Sequence, residues 1–283
     1  MTYVNVRSIP HYCEWVVSPG EQYPTGKPVM VFLHGWGGSG RYWQSTAEAL
    51  AAQFDCLIYD QRGFGRSRGA SGRGPNTYEL EAYADDLAAL LDELELQRVY
   101  INAHSMGASI AALFLNQYSE RVERAILTCN GLFEYDEVAF KQFHKFGQYV
   151  VKFRPTWLTK IPGADRMFMA RFLHRSIAAP LRKAFLEDFV QADYDAALGT
   201  MLEAVSKKAA FEMPQEYANF KMPVLLVSGE FDKIITAEMG RQAAILNSRV
   251  TYRVISETGH FPMLEDAPTY LHQVQQFLQP IAV

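Results

Sequence analysis

The chain has 283 residues, 49% of them apolar and 20% charged, which suits one α/β domain with an insertion and a sizeable core. Its formal net charge of −4 excludes a general attraction to nucleic acid, and its three cysteines, Cys13, Cys56 and Cys129, set no disulfide framework. The first residues lack a basic segment followed by an apolar one, and no apolar run reaches the roughly eighteen residues of a membrane span, so a soluble, cytoplasmic protein is expected.

Along the chain, Val29–Leu33 is a continuous apolar run of buried-strand type that ends in His34-Gly35-Trp36-Gly37-Gly38, where glycines let the backbone turn sharply. Cys56–Tyr59 is a second such run and ends in the polar loop Asp60-Gln61-Arg62-Gly63-Phe64-Gly65-Arg66-Ser67, whose GFG is only a turn signal. A helical stretch over Tyr83–Leu94 precedes VYINAHSMGA at 99–108, which predicts a strand, a sharp turn at Ser105 and a helix over Met106–Tyr118. The residues two before and two after this serine, Ala103 and Gly107, are small, as a tight strand-to-helix turn requires. Further buried strands are expected at Ala125–Cys129 and at Val224–Ser228, which runs into Gly229-Glu230-Phe231-Asp232; Val250–Ile255, also before a loop, then leads to Thr258-Gly259-His260-Phe261-Pro262. Short apolar strands alternating with helices indicate a parallel sheet, with polar chemistry at the strand ends. No cysteine–histidine cluster has metal-ligand spacing and no phosphate-binding glycine loop occurs, so neither metal nor cofactor is expected.

Residues 131–220 interrupt the alternation and are helical in pattern. Phe140, Phe143, Gly147, Val150, Phe153 and Trp157 recur at helical spacing, with a break near Pro155, and apolar material continues through Met167-Phe168-Met169, Phe172, Phe185 and Phe189. This segment is expected to form a cap whose Phe143, Phe146, Trp157, Met167 and Met169 line a lipophilic pocket. Lys141, Lys145, Lys152, Arg154 and Lys160 lie among the same aromatics; a solvated helix face is the preferred reading, with contact to an anionic membrane surface as the alternative.

Five motifs, HGWGG at 34–38, DQRGFGRS at 60–67, AHSMG at 103–107, GEFD at 229–232 and TGHFPMLED at 258–266, follow predicted strands in this order and span nearly the whole chain. In these the sequence resembles the α/β-hydrolase fold superfamily, in its capped serine esterase and lipase-like branch, although AHSMG departs from the common G-x-S-x-G by one methyl group. The resemblance implies a core formed by 1–130 and 221–283 with the cap at 131–220. It also implies Ser105 as nucleophile, His260 as base and Asp232 as acid, with Trp36 and Met106 amides forming an oxyanion hole. Glu230, Glu134 and Asp136 stay open as alternative acids, and His104 reads as structural because neighbours on a turn point different ways. The expected activity is cleavage of a small, lipophilic carboxylic ester through an acyl-enzyme. Thioesterase, lactonase and carbon–carbon hydrolase chemistry are variants of it, and a receptor or scaffold that keeps the triad for binding is the alternative from another class. Oligomeric state and natural substrate are left open by the sequence.

Overall fold

The computed structural model describes residues 2–69 and 77–279; residues 1, 70–76 and 280–283, inside the expected core segments, lie outside the described residues. Eight strands, β1 (Thr2–Val6), β2 (Ile9–Val16), β3 (Val29–Leu33), β4 (Asp55–Tyr59), β5 (Val99–His104), β6 (Val122–Thr128), β7 (Val224–Gly229) and β8 (Val250–Ile255), form one sheet in the order β1-β2-β4-β3-β5-β6-β7-β8. β1–β2 and β2–β4 pair antiparallel and every other pair is parallel. This is the α/β-hydrolase fold that the strand-and-loop pattern predicts.

The centre of the sheet is buried on both faces, which is why β3 reads as an unbroken apolar run. Val29, Val31 and Leu33 enter one apolar cluster while Met30 and Phe32 enter the other, the period-two alternation of a pleated strand. Helices α1 (Gln44–Leu50), α2 (Leu80–Glu93) and α3 (Met106–Gln117) follow β3, β4 and β5. Because the chain leaves β3 for β4 on one side and returns to β5 on the other, the ends of β3 and β5 flank a topological switch point, where open α/β sheets hold their ligands.

Between β6 and β7 the chain forms α4 (Glu137–Lys152), α5 (Ala164–Met169), α6 (Ala179–Gln191), α7 (Tyr194–Ala204) and α8 (Lys207–Ala218). α4 begins on Asp136, whose carboxylate accepts from the Val138 and Ala139 amides, and stops just before Pro155. The inserted helices are tied down at several points. Asp188 of α6 accepts from Ser39 Oγ at 2.6 Å and pairs with Arg41. The Trp36 indole N–H donates to the Ala197 carbonyl at 2.8 Å. α8 packs on α3, with Asn116 donating to the Glu216 carbonyl at 2.9 Å, so the end of the insertion lies along the flank of the sheet. α9 (Ala237–Ala244), α10 (Pro262–Glu265) and α11 (Ala267–Leu278) complete the fold, and among the described residues no helix is long and apolar enough to cross a membrane.

Candidate active site

Ser105 joins β5 to α3 with φ 55° and ψ −122°, a region that a non-glycine residue enters only under constraint. The constraint is visible on both sides. The Ser105 amide donates to the Thr128 carbonyl at 2.9 Å, fixing the turn to β6. On the other side α3 runs so close to β3 that a Cβ on Gly107 would lie 2.5 Å from the His34 carbonyl oxygen, so only glycine lets the helix start there. Ala103, the departure from the common pattern, is fully buried between Leu33 and Leu127 of the flanking strands.

Ser105, His260 and Asp232, on loops after β5, β8 and β7, meet in one hydrogen-bonded chain: Ser105 Oγ lies 2.9 Å from His260 Nε2, and His260 Nδ1 lies 2.7 Å from Asp232 Oδ2. Asp232 Oδ1 accepts from the Ile234 and Ile235 amides at 2.7 and 3.1 Å, so the carboxylate is acceptor-only and His260 carries its proton on Nδ1. Nε2 is then left with a free lone pair facing the serine hydroxyl. Loops after β7 and β8 can approach because Gly229 has no side chain: a Cβ there would sit 1.9 Å from the Gly259 carbonyl oxygen. The alternative acids are elsewhere; Glu230 accepts from the Glu257 amide, Asp136 caps α4, and Glu134 is exposed before it.

The two amides expected to receive an oxyanion, those of Trp36 after β3 and Met106 at the first position of α3, have no hydrogen-bond acceptor among the described residues. Helix N-terminal amides carry partial positive charge, which suits them to a developing anion. Gly35 next to Trp36 donates its amide to the Tyr42 hydroxyl at 2.5 Å, and Tyr42 lies 2.9 Å from His104 Nδ1. His104 Nε2 is 2.7 Å from the His260 carbonyl. A neutral His104 that donates from Nε2 and accepts on Nδ1 therefore links the loop after β3 to the loop that carries His260. It is a link between loops, not a second base.

Burial holds the His104 pKa well below its ordinary value, with the nearby His260 adding to it, and burial also lowers the pKa of His34 and His11. Such a histidine stays neutral in the fold while the unfolded chain takes up a proton below about pH 6.5. Stability present above that pH is thus lost as the pH falls, by about 1.4 kcal/mol per pH unit for each histidine that remains neutral. Denaturant unfolding at about pH 7.5 and about 5.5 is expected to show a clear loss of stability at the lower pH. Equal or greater stability there would contradict it.

Two further polar groups brace the site. Glu265 is buried and accepts from four backbone amides, those of Gly259, Phe261, His174 and Arg175, at 2.7 to 3.0 Å, clamping the loop of His260 to the segment after α5. In the same region the His260 amide donates to the Phe172 carbonyl at 2.7 Å. Asn130, after β6, donates to the Ser105 carbonyl at 3.2 Å and to Ser109 Oγ at 2.8 Å, and accepts from the Tyr217 hydroxyl at 2.6 Å. Neither Tyr42 nor Asn130 carries a local sequence signal, because each acts through a partner distant in the chain; Glu265 lies within the TGHFPMLED motif, but its bonds to His174 and Arg175 reach a remote segment. One group of three side chains among the described residues has metal-ligand chemistry, His104, Cys129 and His260, with ligand atoms within 4.8 Å. The ring nitrogens of both histidines are engaged in the bonds just described. The Cys129 thiol is pushed well above its ordinary pKa by burial and by the charge of Asp232, which leaves it protonated and a poor ligand.

A run of aromatic contacts, an aromatic wall, leads from Trp36 to Phe189 (5.6 Å between centroids), Phe168 (4.8 Å), Phe172 (5.8 Å) and His260 (6.1 Å). The expected pocket residues are placed differently. Phe143, Phe146, Trp157 and Met167 are exposed on the outside of the inserted helices, and Met169 is buried in the apolar cluster with Phe185 and Phe261. The inward face of α4, formed by Phe140, Gly147 and Val151, turns Phe146 outward and leaves Phe143 at its margin. A Cβ on Gly147 would lie 2.3 Å from Met201 Sδ, so this face alone permits close contact with α7.

A serine, a histidine and a carboxylate thus meet at the strand ends of a mostly parallel sheet, the arrangement that hydrolases of this fold use. The chain belongs to the alpha/beta hydrolase fold family, which matches residues 28–267. RutD of Pseudomonas syringae pv. syringae, provisionally named a carbamate hydrolase, is 23% identical over 253 residues, covering 89% of this chain and 93% of that one. A hydrolase from Pseudomonas aeruginosa PA01 has a similar structure, with a TM-score of 0.80, 17% identity and coverage of 99% of this chain and 98% of that one. The enol-lactonase from Burkholderia xenovorans LB400 is similar with a TM-score of 0.76 at 20% identity, covering 98% of this chain and 99% of that one. At these identities the structural likeness shows the fold.

Proposed function

We propose that the protein is a serine hydrolase that cleaves a carboxylic ester with a lipophilic acyl or alcohol part through an acyl-enzyme on Ser105, and that residues 131–220 cap its site. The observation that supports this best is the chain from Ser105 through His260 to Asp232 beside two amides, those of Trp36 and Met106, that lack an acceptor. Ser105 Oγ attacks the carbonyl carbon as its proton passes to His260 Nε2, and the carbonyl oxygen takes the negative charge toward the two amides. Collapse of the tetrahedral species breaks the bond to the alcohol, which leaves with the proton from His260. Water then repeats the sequence on the acyl group and frees Ser105. The substrates in the relatives' names, a carbamate and an enol-lactone, each contain an acyl carbon open to such an attack.

A panel of p-nitrophenyl esters tests this reading. Turnover with a burst proportional to enzyme marks an acyl-enzyme, whereas saturable binding without turnover would point to a receptor that keeps the triad. The wall of Trp36, Phe168, Phe172 and Phe189 supports a lipophilic preference, since each methylene moved out of water contributes up to about 0.8 kcal/mol, a few-fold in kcat/KM. The expected result is a rise in kcat/KM from acetate to medium-chain acyl esters and a fall where the pocket ends. A flat response to chain length would remove the lipophilic assignment.

A further inference from the structure

We infer that the outer face of α4 and the segment that follows it form a docking surface for an anionic lipid bilayer. The surface is strongly apolar where a monomer has no internal use for it. Phe146 is 69% exposed, Tyr149 64%, Phe153 72%, Trp157 53% and Met167 75%, with Val138 and Phe143 beside them. Val138, Phe146, Tyr149 and Phe153 fall on one face at 3.6 residues per turn, opposite the face of Phe140, Gly147 and Val151 that packs on α7. The outer side of α4 thus presents Val138, Phe146, Tyr149 and Phe153 around Gln142, all exposed. Large exposed apolar patches rimmed by charge mark interaction sites.

Charge selects the occupant. The whole chain is net −4, yet residues 138–163 contain Lys141, Lys145, Lys152, Arg154 and Lys160 and no aspartate or glutamate. Lys141, Lys145 and Lys152 form a row along the edge of the apolar face; Lys141 pairs with Glu137, whereas Lys145, Lys152 and Lys160 make no ion pair among the described residues. A second copy of the chain seated face to face would bring no aspartate or glutamate of residues 138–163 to neutralise these lysines, and a two-fold axis across the helix would set lysine row against lysine row. A bilayer containing anionic lipid accepts aromatic side chains at its interface and neutralises the lysines around them, which is the pattern of a helix lying in the interface plane. The surface also adjoins the site. Met167 points outward from α5 while its neighbour Phe168 stacks on Phe189 in the aromatic wall, so docking would place the membrane against the back of that wall. The inference goes beyond the ester reading and stands on the surface itself.

The test is co-sedimentation of the full chain with vesicles of phosphatidylcholine containing about one-third phosphatidylglycerol, against pure phosphatidylcholine vesicles, at low and high salt. Binding is expected to the anionic vesicles, weakened by salt. The double variants Lys145→Glu/Lys152→Glu and Phe146→Ser/Phe153→Ser are each expected to lower the partition coefficient at least about tenfold. All four positions are exposed, so thermal unfolding should be unchanged, and kcat/KM on a short soluble ester should stay within about twofold. Binding that ignores lipid charge, no binding at all, or a concentration-dependent dimer that the same substitutions dissolve would each overturn the proposal. A failure of ester turnover alone would leave the vesicle result intact and would count only against the proposed activity.

Discussion

Replacing Ser105 by alanine should abolish turnover of every ester in the panel, with a loss in kcat of at least about three to four orders of magnitude, while the protein folds as before. The size of the effect follows from the mechanism: the Trp36 and Met106 amides can still polarise a carbonyl, but no covalent path remains. Folding should survive because Ser105 Oγ contributes no bond to the turn itself; the turn is held by its amide to Thr128 and by the close approach of Gly107 to β3. Steady-state kinetics with circular dichroism on the same sample reads both parts. Residual activity within about tenfold of wild type would remove Ser105 from the reaction.

His260→Ala should cost about as much as loss of the serine, because the hydroxyl then has no group to take its proton. Asp232→Asn is more informative. Oδ1 faces the Ile234 and Ile235 amides and must remain an oxygen, so the asparagine NH2 is forced toward His260 Nδ1. The imidazole then accepts on Nδ1 and carries its proton on Nε2, where it faces Ser105 and cannot act as a base. A loss of roughly four orders of magnitude is expected from a change of one atom, without loss of stability, and the Ser105 and Asp232 effects should not add. Full activity in Asp232→Asn beside a crippled Glu134→Gln or Asp136→Asn would move the acid to the loop after β6.

The elements that carry the site were legible because their signals are local. β3, β4, β5 and β7 are mostly apolar runs, and the loops that follow the strands announce themselves by glycine, by small residues around Ser105 or by Gly259 before His260. β1 and β2 gave no such signal: they form the antiparallel edge, β1 is largely exposed, and their turn is made by Arg7 and Ser8 at positive φ without a glycine. The braces of the site were invisible for a different reason. Tyr42 meets His104, and Glu265 meets His174 and Arg175, only once the sheet has brought remote segments together. On α4 the helical spacing was readable but not the choice between two apolar faces, which depends on Met201 of α7 seating against Gly147. That choice sent Phe146 to the surface.

In the proposed reaction Ser105 becomes the acyl carrier. The most direct measurement is intact-mass and peptide mass spectrometry of the wild-type protein after incubation with a fluorophosphonate, which reacts with serine nucleophiles activated by a histidine. One adduct per chain, located on Ser105 and absent from both Ser105→Ala and His260→Ala, is the predicted result. An adduct on another residue, or none on a protein that still turns over esters, would contradict it.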